Sequence, residues 1–175
     1  MPGTDIELSL ARLDQLFNSF DPAPFYERGL DQEAEEYIVG SAEEAPSWKP
    51  LQLVIDLPAD QLPQAGKLQL ADAIHNHFAY RENQKRRELR LLLRDGRIAF
   101  VIGIGFLLCC VLFRELAHAF GNDAVWQVLD QGMIIIGWVA MWRPLEIFLY
   151  EWVPIRRRRQ ILAELAKMSV IVQPR

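Results

Sequence analysis

Ile98 to Phe113 reads IAFVIGIGFLLCCVLF, sixteen consecutive residues without a polar side chain. At 1.5 Å rise per residue a helix of that length covers roughly 24 Å, short of a hydrocarbon core of about 30 Å. Extending it through Leu116 to Phe120 supplies the missing length and sets Arg114 and Glu115 near one surface. A buried core helix can carry the same run, so the second apolar segment decides. Met133 to Trp142 (MIIIGWVAMW) is apolar all round and lies in a longer helical pattern from Ala124 to Val153. Between the two, Gly121-Asn122-Asp123 combines a helix C-terminus with a cap for the next helix. The expectation is a transmembrane hairpin with spans over 98–120 and 124–153, joined by an external turn at 121–123. The second span is expected to kink near Pro144, whose ring removes a donor and crowds the carbonyl of Ala140. A further break is expected at Pro154.

Charge is segregated around these runs. Residues 1–66 hold 3 Lys/Arg and 13 Asp/Glu, residues 67–113 hold 8 and 4, residues 114–131 hold 1 and 3, and residues 132–175 hold 7 and 3. Lys and Arg resist transfer across a membrane, so both basic flanks are expected in the cytoplasm with the turn outside. Both termini are then cytoplasmic. Trp126, Tyr150 and Trp152 suit interfacial anchoring. No signal peptide is read at the N-terminus, where a basic start and an apolar stretch are missing. Arg outnumbers Lys 15 to 4, a bias associated with GC-rich bacterial genomes, and the expected location is a bacterial inner membrane. An apolar share of 51% excludes full disorder, and two cysteines exclude a disulfide scaffold. Cys109 and Cys110 read as packing residues inside the first span. A sequence pI of 5.4 argues against nucleic acid as a partner.

Folding the hairpin about residue 122 sets Arg114 opposite Asp130 and Arg97 opposite Glu146, two candidate ion pairs. Arg143 and Glu146 are also i,i+3 neighbours on one helix. Charges at membrane depth cost roughly 2.5–3.5 kcal/mol and are functional candidates by default, although all of these sit near span ends, where long side chains snorkel. Small residues mark two faces of the first span, Ala99 with Gly103 and Gly105 with Cys109, and one face of the second, Gly137 with Ala140. Arg86, Arg90, Arg94, Arg156, Arg157, Arg158 and Arg159 are candidate contacts to anionic lipid.

The remainder is expected to form a small cytoplasmic α+β domain from the N-terminal region and the C-terminal helix and strand. Its parts are an acidic region over 1–66, a basic juxtamembrane helix over 67–97 and a helix with strand over 154–175. Residues 5–20 carry apolar residues at helical spacing, with a strand over Ile6–Leu10 as the alternative. Asp21-Pro22-Ala23-Pro24 forbids a helix and leaves Phe25 and Tyr26 extended, and Pro46 to Pro50 reads as a turn. Residues 31–44 read as an acidic helix with Ala34, Tyr37, Ile38 and Ala42 inward and its glutamates solvated. Leu51 to Leu57 is the best strand, Ala65 opens a long helix, and Ser169 to Val172 is expected to return and pair with 51–57.

Catalytic chemistry is sparse. His75 and His77, two apart on a helix, point to different sides, and His118 lies at the opposite end of the first span. No phosphate loop, nucleotide fingerprint, zinc-protease or nucleophile-elbow pattern occurs. The expectation is a non-enzymatic membrane-anchored scaffold, assembly factor or regulatory subunit without a cofactor. Its partners would be the bilayer with its anionic lipid, further copies of itself and a cytoplasmic or membrane protein. The alternative is a small oligomeric channel or transporter using Arg143 and Glu146.

Overall fold

The computed structural model describes residues 4–18, 29–46, 50–63, 69–120 and 124–175; among these, side chains are described except at 4, 117–120, 124–127, 129, 130 and 134. In chain order they form β1 (Thr4–Ser9), a 3-10 turn (Leu13–Leu16), α1 (Gln32–Glu44), β2 (Leu51–Leu57) and α2 (Leu70–Phe120). There follow α3 (Ala124–Glu146), a π-helical turn (Ile147–Glu151), α4 (Trp152–Leu165) and β3 (Ser169–Pro174). The expected break at 21–24, the extended Phe25 and Tyr26, most of the turn at 46–50, a helix start at Ala65 and the turn at 121–123 fall outside the described residues. Two compact units divide the chain: Met1–Lys85 with Arg157–Arg175, and Arg86–Arg156.

In the first unit the three strands form one parallel sheet in the order β1-β2-β3. Ile6 pairs with Leu53 and Leu53 with Val170, while Leu8 pairs with Ile55 and Ile55 with Val172. Pairs in register point the same way, so these residues share the covered face with Leu51 and Leu57. The other face carries Asp5, Glu7, Ser9, Gln52, Val54, Asp56, Ser169, Ile171 and Gln173. Strand period two explains the split, and the expected return of 169–172 onto 51–57 is observed, in parallel.

Of residues 5–20, the described 5–18 do not form the expected helix, and the strand alternative holds at their start. Thr4–Ser9 alternates charged and apolar residues as well as it matches a helical period, and pairing with β2 buries Ile6 at 2% exposure. The helical spacing survives only in the single 3-10 turn, where Gln15 Oε1 accepts from the Ala11 and Arg12 amides at 3.1 and 3.2 Å. In α1, Asp31 caps the first turn by accepting from the Glu33 amide at 3.0 Å. Its buried residues are Glu35, Ile38, Val39 and Ala42, and Ala34 packs against the core, so the expected inward face holds at Ala34, Ile38 and Ala42 but not at Tyr37. Tyr37 is displaced to the surface, and its hydroxyl donates to the Glu7 carbonyl at 3.1 Å.

The start of α2 supplies Leu70, Ala73, Ile74 and Phe78 to the core, joined by Ile38, Leu53, Ile55, Leu57, Leu162 and Leu165. The same helix continues without a break to Phe120. Pro154 causes no break either: the helical run continues from α3 through the π-helical turn and past Pro154 to Leu165.

Phe78 is fully buried. Phe78→Ala therefore costs this unit about 3–5 kcal/mol. The expected reading is a lower thermal midpoint and lost proteolytic protection of β1 and β2; an unchanged midpoint contradicts the packing.

Candidate functional site

In the second unit two helices pack through small residues. A Cβ placed on Gly96 would lie 2.8 Å from Ile147 Cγ2, one on Gly103 would lie 2.9 Å from Met141 Sδ and 3.3 Å from the Ala140 carbonyl oxygen, and one on Gly137 would lie 2.8 Å from Leu107 Cδ1. Close backbone approach of this kind is what glycine permits between helices. Buried Cys110 and Pro144 belong to the same unit's interior, whereas Gly105 meets nothing within 4 Å and Cys109 is exposed. Of the small-residue faces on the first apolar run, the Gly103 face is the packed one and the Gly105 face is open. Away from the seam the surface is apolar: Val101, Ile102, Leu112, Trp138, Val139 and Trp142 are each about two-thirds exposed or more.

The end of α3 carries a cluster of paired charges. Arg143 Nη1 lies 3.2 Å from Glu146 Oε2, and the guanidinium also pairs with Glu151, eight positions on. In a regular α-helix eight residues turn through about 80° beyond two full turns, which would point Glu151 away. The π-helical turn Ile147–Glu151 accommodates one extra residue, so the offset acts as seven and falls to about 20°. The π turn thereby aligns Glu151 with Arg143. Pro144, which cannot hydrogen-bond to Ala140, loosens the helix just ahead of it. Trp152 Nε1–H donates to the Phe148 carbonyl at 2.7 Å, and the Arg156 guanidinium lies 5.5 Å from the Trp152 ring centroid. The result is one guanidinium held by two carboxylates, on a stretch of chain that also carries Trp142, Tyr150 and Trp152. No sequence pattern announced the π turn, and sequence reasoning therefore missed Glu151.

The other candidates separate. Arg97 is exposed and has no ion-pair partner among the described residues, although its neighbour Gly96 does face Ile147. Arg114 is half-buried, and the Asp130 side chain lies outside the described residues, as do those of His118 and Trp126. Arg86, Arg90, Arg94, Arg156, Arg157 and Arg158 are exposed. Arg94 lies 3.4 Å from Asp95, and Arg159 is drawn 3.2 Å from Glu82 instead of outward.

A second cluster, in the first unit, was hidden in the acidic run of α1. Glu35 is buried at 9% exposure rather than solvated. Its Oε2 lies 3.0 Å from His77 Nε2, and its Oε1 accepts from Arg81 Nε at 2.7 Å. His77 Nδ1 in turn accepts from the Leu30 amide at 3.2 Å, which fixes the tautomer with the proton on Nε2. A carboxylate beside an imidazole is the pairing that orients a general base. Here both ring nitrogens are engaged, so the pair is built for holding Leu30 and α1 to α2, not for receiving a substrate proton. His75, on another side of α2, bonds the Met168 carbonyl through Nε2 at 2.8 Å and ties down the entry to β3.

Burial pushes the Glu35 carboxyl up, but the hydrogen bonds and charges of His77 and Arg81 outweigh it and hold the group below its ordinary 4.5. A depressed carboxylate contributes stability that is complete above the unfolded-state value and is lost as pH falls through the folded one. Among the described residues no three metal-ligating side chains converge. A cleft between α1 and α4, lined by Glu43, Arg157, Gln160 and Glu164, holds about 140 Å³, below the roughly 300–1,000 Å³ of typical cofactor pockets.

Thermal unfolding followed from pH 6 to pH 3 should therefore show a loss of stability setting in below about pH 4.5. Glu35→Gln should cost about 1–3 kcal/mol at neutral pH and flatten that acid limb; an unaltered limb would assign it to other carboxylates. Comparison with protein-family models, with curated proteins and with solved structures gave no match.

Proposed function

We propose that this chain is an integral membrane protein whose two long helices cross the bilayer as a hairpin and hold a small cytoplasmic domain at its surface. It acts there, in more than one copy, as a non-enzymatic scaffold, assembly factor or regulatory subunit. The observation that carries this reading is the parallel pairing of β2 with β3. These strands flank the two apolar helices in sequence, so the chain must leave and return on one side. That requirement is met by two crossings and not by one. Exposure supports it: within the most apolar windows only 17% and 18% of residues are buried, whereas the core helix of a soluble protein is mostly buried.

Side is read from charge. Arg86, Arg90, Arg94, Arg156, Arg157 and Arg158 remain exposed at the two flanks, available to anionic headgroups at about 1 kcal/mol each near the surface. The Arg143 set, closed internally by Glu146 and Glu151, suits a helix leaving the hydrocarbon at the aromatic belt. His75 and His77, with Glu35 and Arg81, are engaged in holding the domain together, which favours a binding role over a chemical one.

A reporter active only in the cytoplasm, fused after Arg175, should be active; the same reporter inserted at residue 122 should be silent. The reverse pattern overturns the orientation, and release of the protein from membranes by alkaline carbonate overturns the hairpin. Reconstituted vesicles should show no solute flux sensitive to Arg143→Gln with Glu146→Gln; such a flux would make the chain a transporter.

A further inference from the structure

The two edges of the sheet are not equivalent. Leu10 N–H donates to the Asp56 carbonyl, so the even-numbered residues of β1 bond to β2 and Asp5, Glu7 and Ser9 turn their backbone groups outward. That edge is guarded. Asp5 and Glu7 are exposed, and the Glu7 carbonyl already accepts from Tyr37. Charge on an edge strand opposes pairing with another strand.

On the other side Arg175 N–H donates to the Leu57 carbonyl, so Ser169, Ile171 and Gln173 bond inward. Val170 and Val172 therefore direct both N–H and C=O outward, and neither forms a hydrogen bond there with any described residue. Ser169–Pro174 contains no charged residue, and Ile171 stands 43% exposed on the open face. This edge lacks the charged guards of β1.

We propose that β3 pairs antiparallel with β3 of a second copy of this chain, about a two-fold axis through Ile171, giving one six-stranded sheet. Val170 then faces the partner's Val172 and Val172 the partner's Val170. Each is a hydrogen-bonded pair, and together they supply the four missing backbone bonds. The residue between them forms a non-hydrogen-bonded pair, in which side chains approach most closely, so the two Ile171 side chains cover each other. Ser169 comes opposite the partner's Gln173, and the two valine pairs extend the covered face.

The partner is a second copy because the arrangement closes. Each chain uses its one unguarded edge on the same edge of its mate, and both ends of the enlarged sheet are guarded β1 strands. Pairing β3 with a neighbour's β1 would propagate without end and would press onto Asp5, Glu7 and Tyr37. The proposal deepens the multi-copy reading given above and rests on it, since two chains held in one membrane meet at raised effective concentration.

The test uses the full chain in native membranes with Cys109→Ala and Cys110→Ala, which retain the Cβ of each position. Ile171→Cys should form a disulfide-linked dimer under copper-catalysed air oxidation, because the paired Cβ atoms would lie about 4.5–5.5 Å apart. Ser169→Cys and Gln173→Cys should link to each other when co-expressed and not when expressed alone. Val172→Pro removes only an outward N–H, tolerated on an edge strand, and should abolish these links while the domain keeps its proteolytic protection. If an amine-reactive cross-linker captures dimers but Ile171→Cys does not link, or Val172→Pro changes nothing, the β3 interface is wrong and the multi-copy reading stands. If no cross-linker captures dimers, both are wrong.

Discussion

The hydrogen-bonded pairing of β2 with β3 is the constraint on which the rest depends. It joins segments 117 positions apart, reinforced at the surface by Gln173 Nε2 bonding Asp56 Oδ1 at 2.9 Å. Everything between them is a crossover connection, and parallel strands require one long enough to return to the starting end. Here that connection holds both apolar helices. A fold that must close over such an excursion cannot place its two flanks in different compartments, whatever the intervening helices do.

Two kinds of close fit serve the two units. The first relies on a buried carboxylate whose partners come from another helix. Glu35 binds both His77 and the part-exposed Arg81, and His77 also takes up the Leu30 amide, so this buried charge is paired. The second relies on the absence of side chains, with Gly96, Gly103 and Gly137 admitting the facing helix. Where apolar surface meets apolar surroundings, burial gains little, and steric fit of this type becomes the main source of association.

Much of this was legible in the sequence, for identifiable reasons. The two apolar runs announced themselves by length, the strand at 51–57 by its alternation, and α1 by the helical spacing of Ala34, Ile38 and Ala42. The partnership of 169–172 with 51–57 followed from having two β-rich segments and one small domain. Thr4–Ser9 was harder, because Ile6 and Leu10 satisfy helical spacing while Ile6 and Leu8 satisfy strand spacing, and only pairing with β2 breaks the tie. Glu35 was illegible: among Glu33, Glu36, Glu43 and Glu44, nothing local marks the one glutamate that finds His77 and Arg81 more than forty positions away. Glu151 was hidden for another reason. A π turn changes helical phase, and phase was the only guide to which side chains meet. Pro154 misled because the helical run passes it just after the π turn.

The position of β3 after both long helices also orders the molecule's assembly during translation. β1, α1 and β2 emerge from the ribosome first, with one flank of β2 lacking its neighbour and Leu162, Leu165 and Met168 not yet present to cover Leu53 and Ile55. The nascent domain must wait, half-built and with an unsatisfied strand, until the apolar segments have been synthesised and dealt with. Closure of the sheet is thus a late event, possible only once the segment after both long helices has been made.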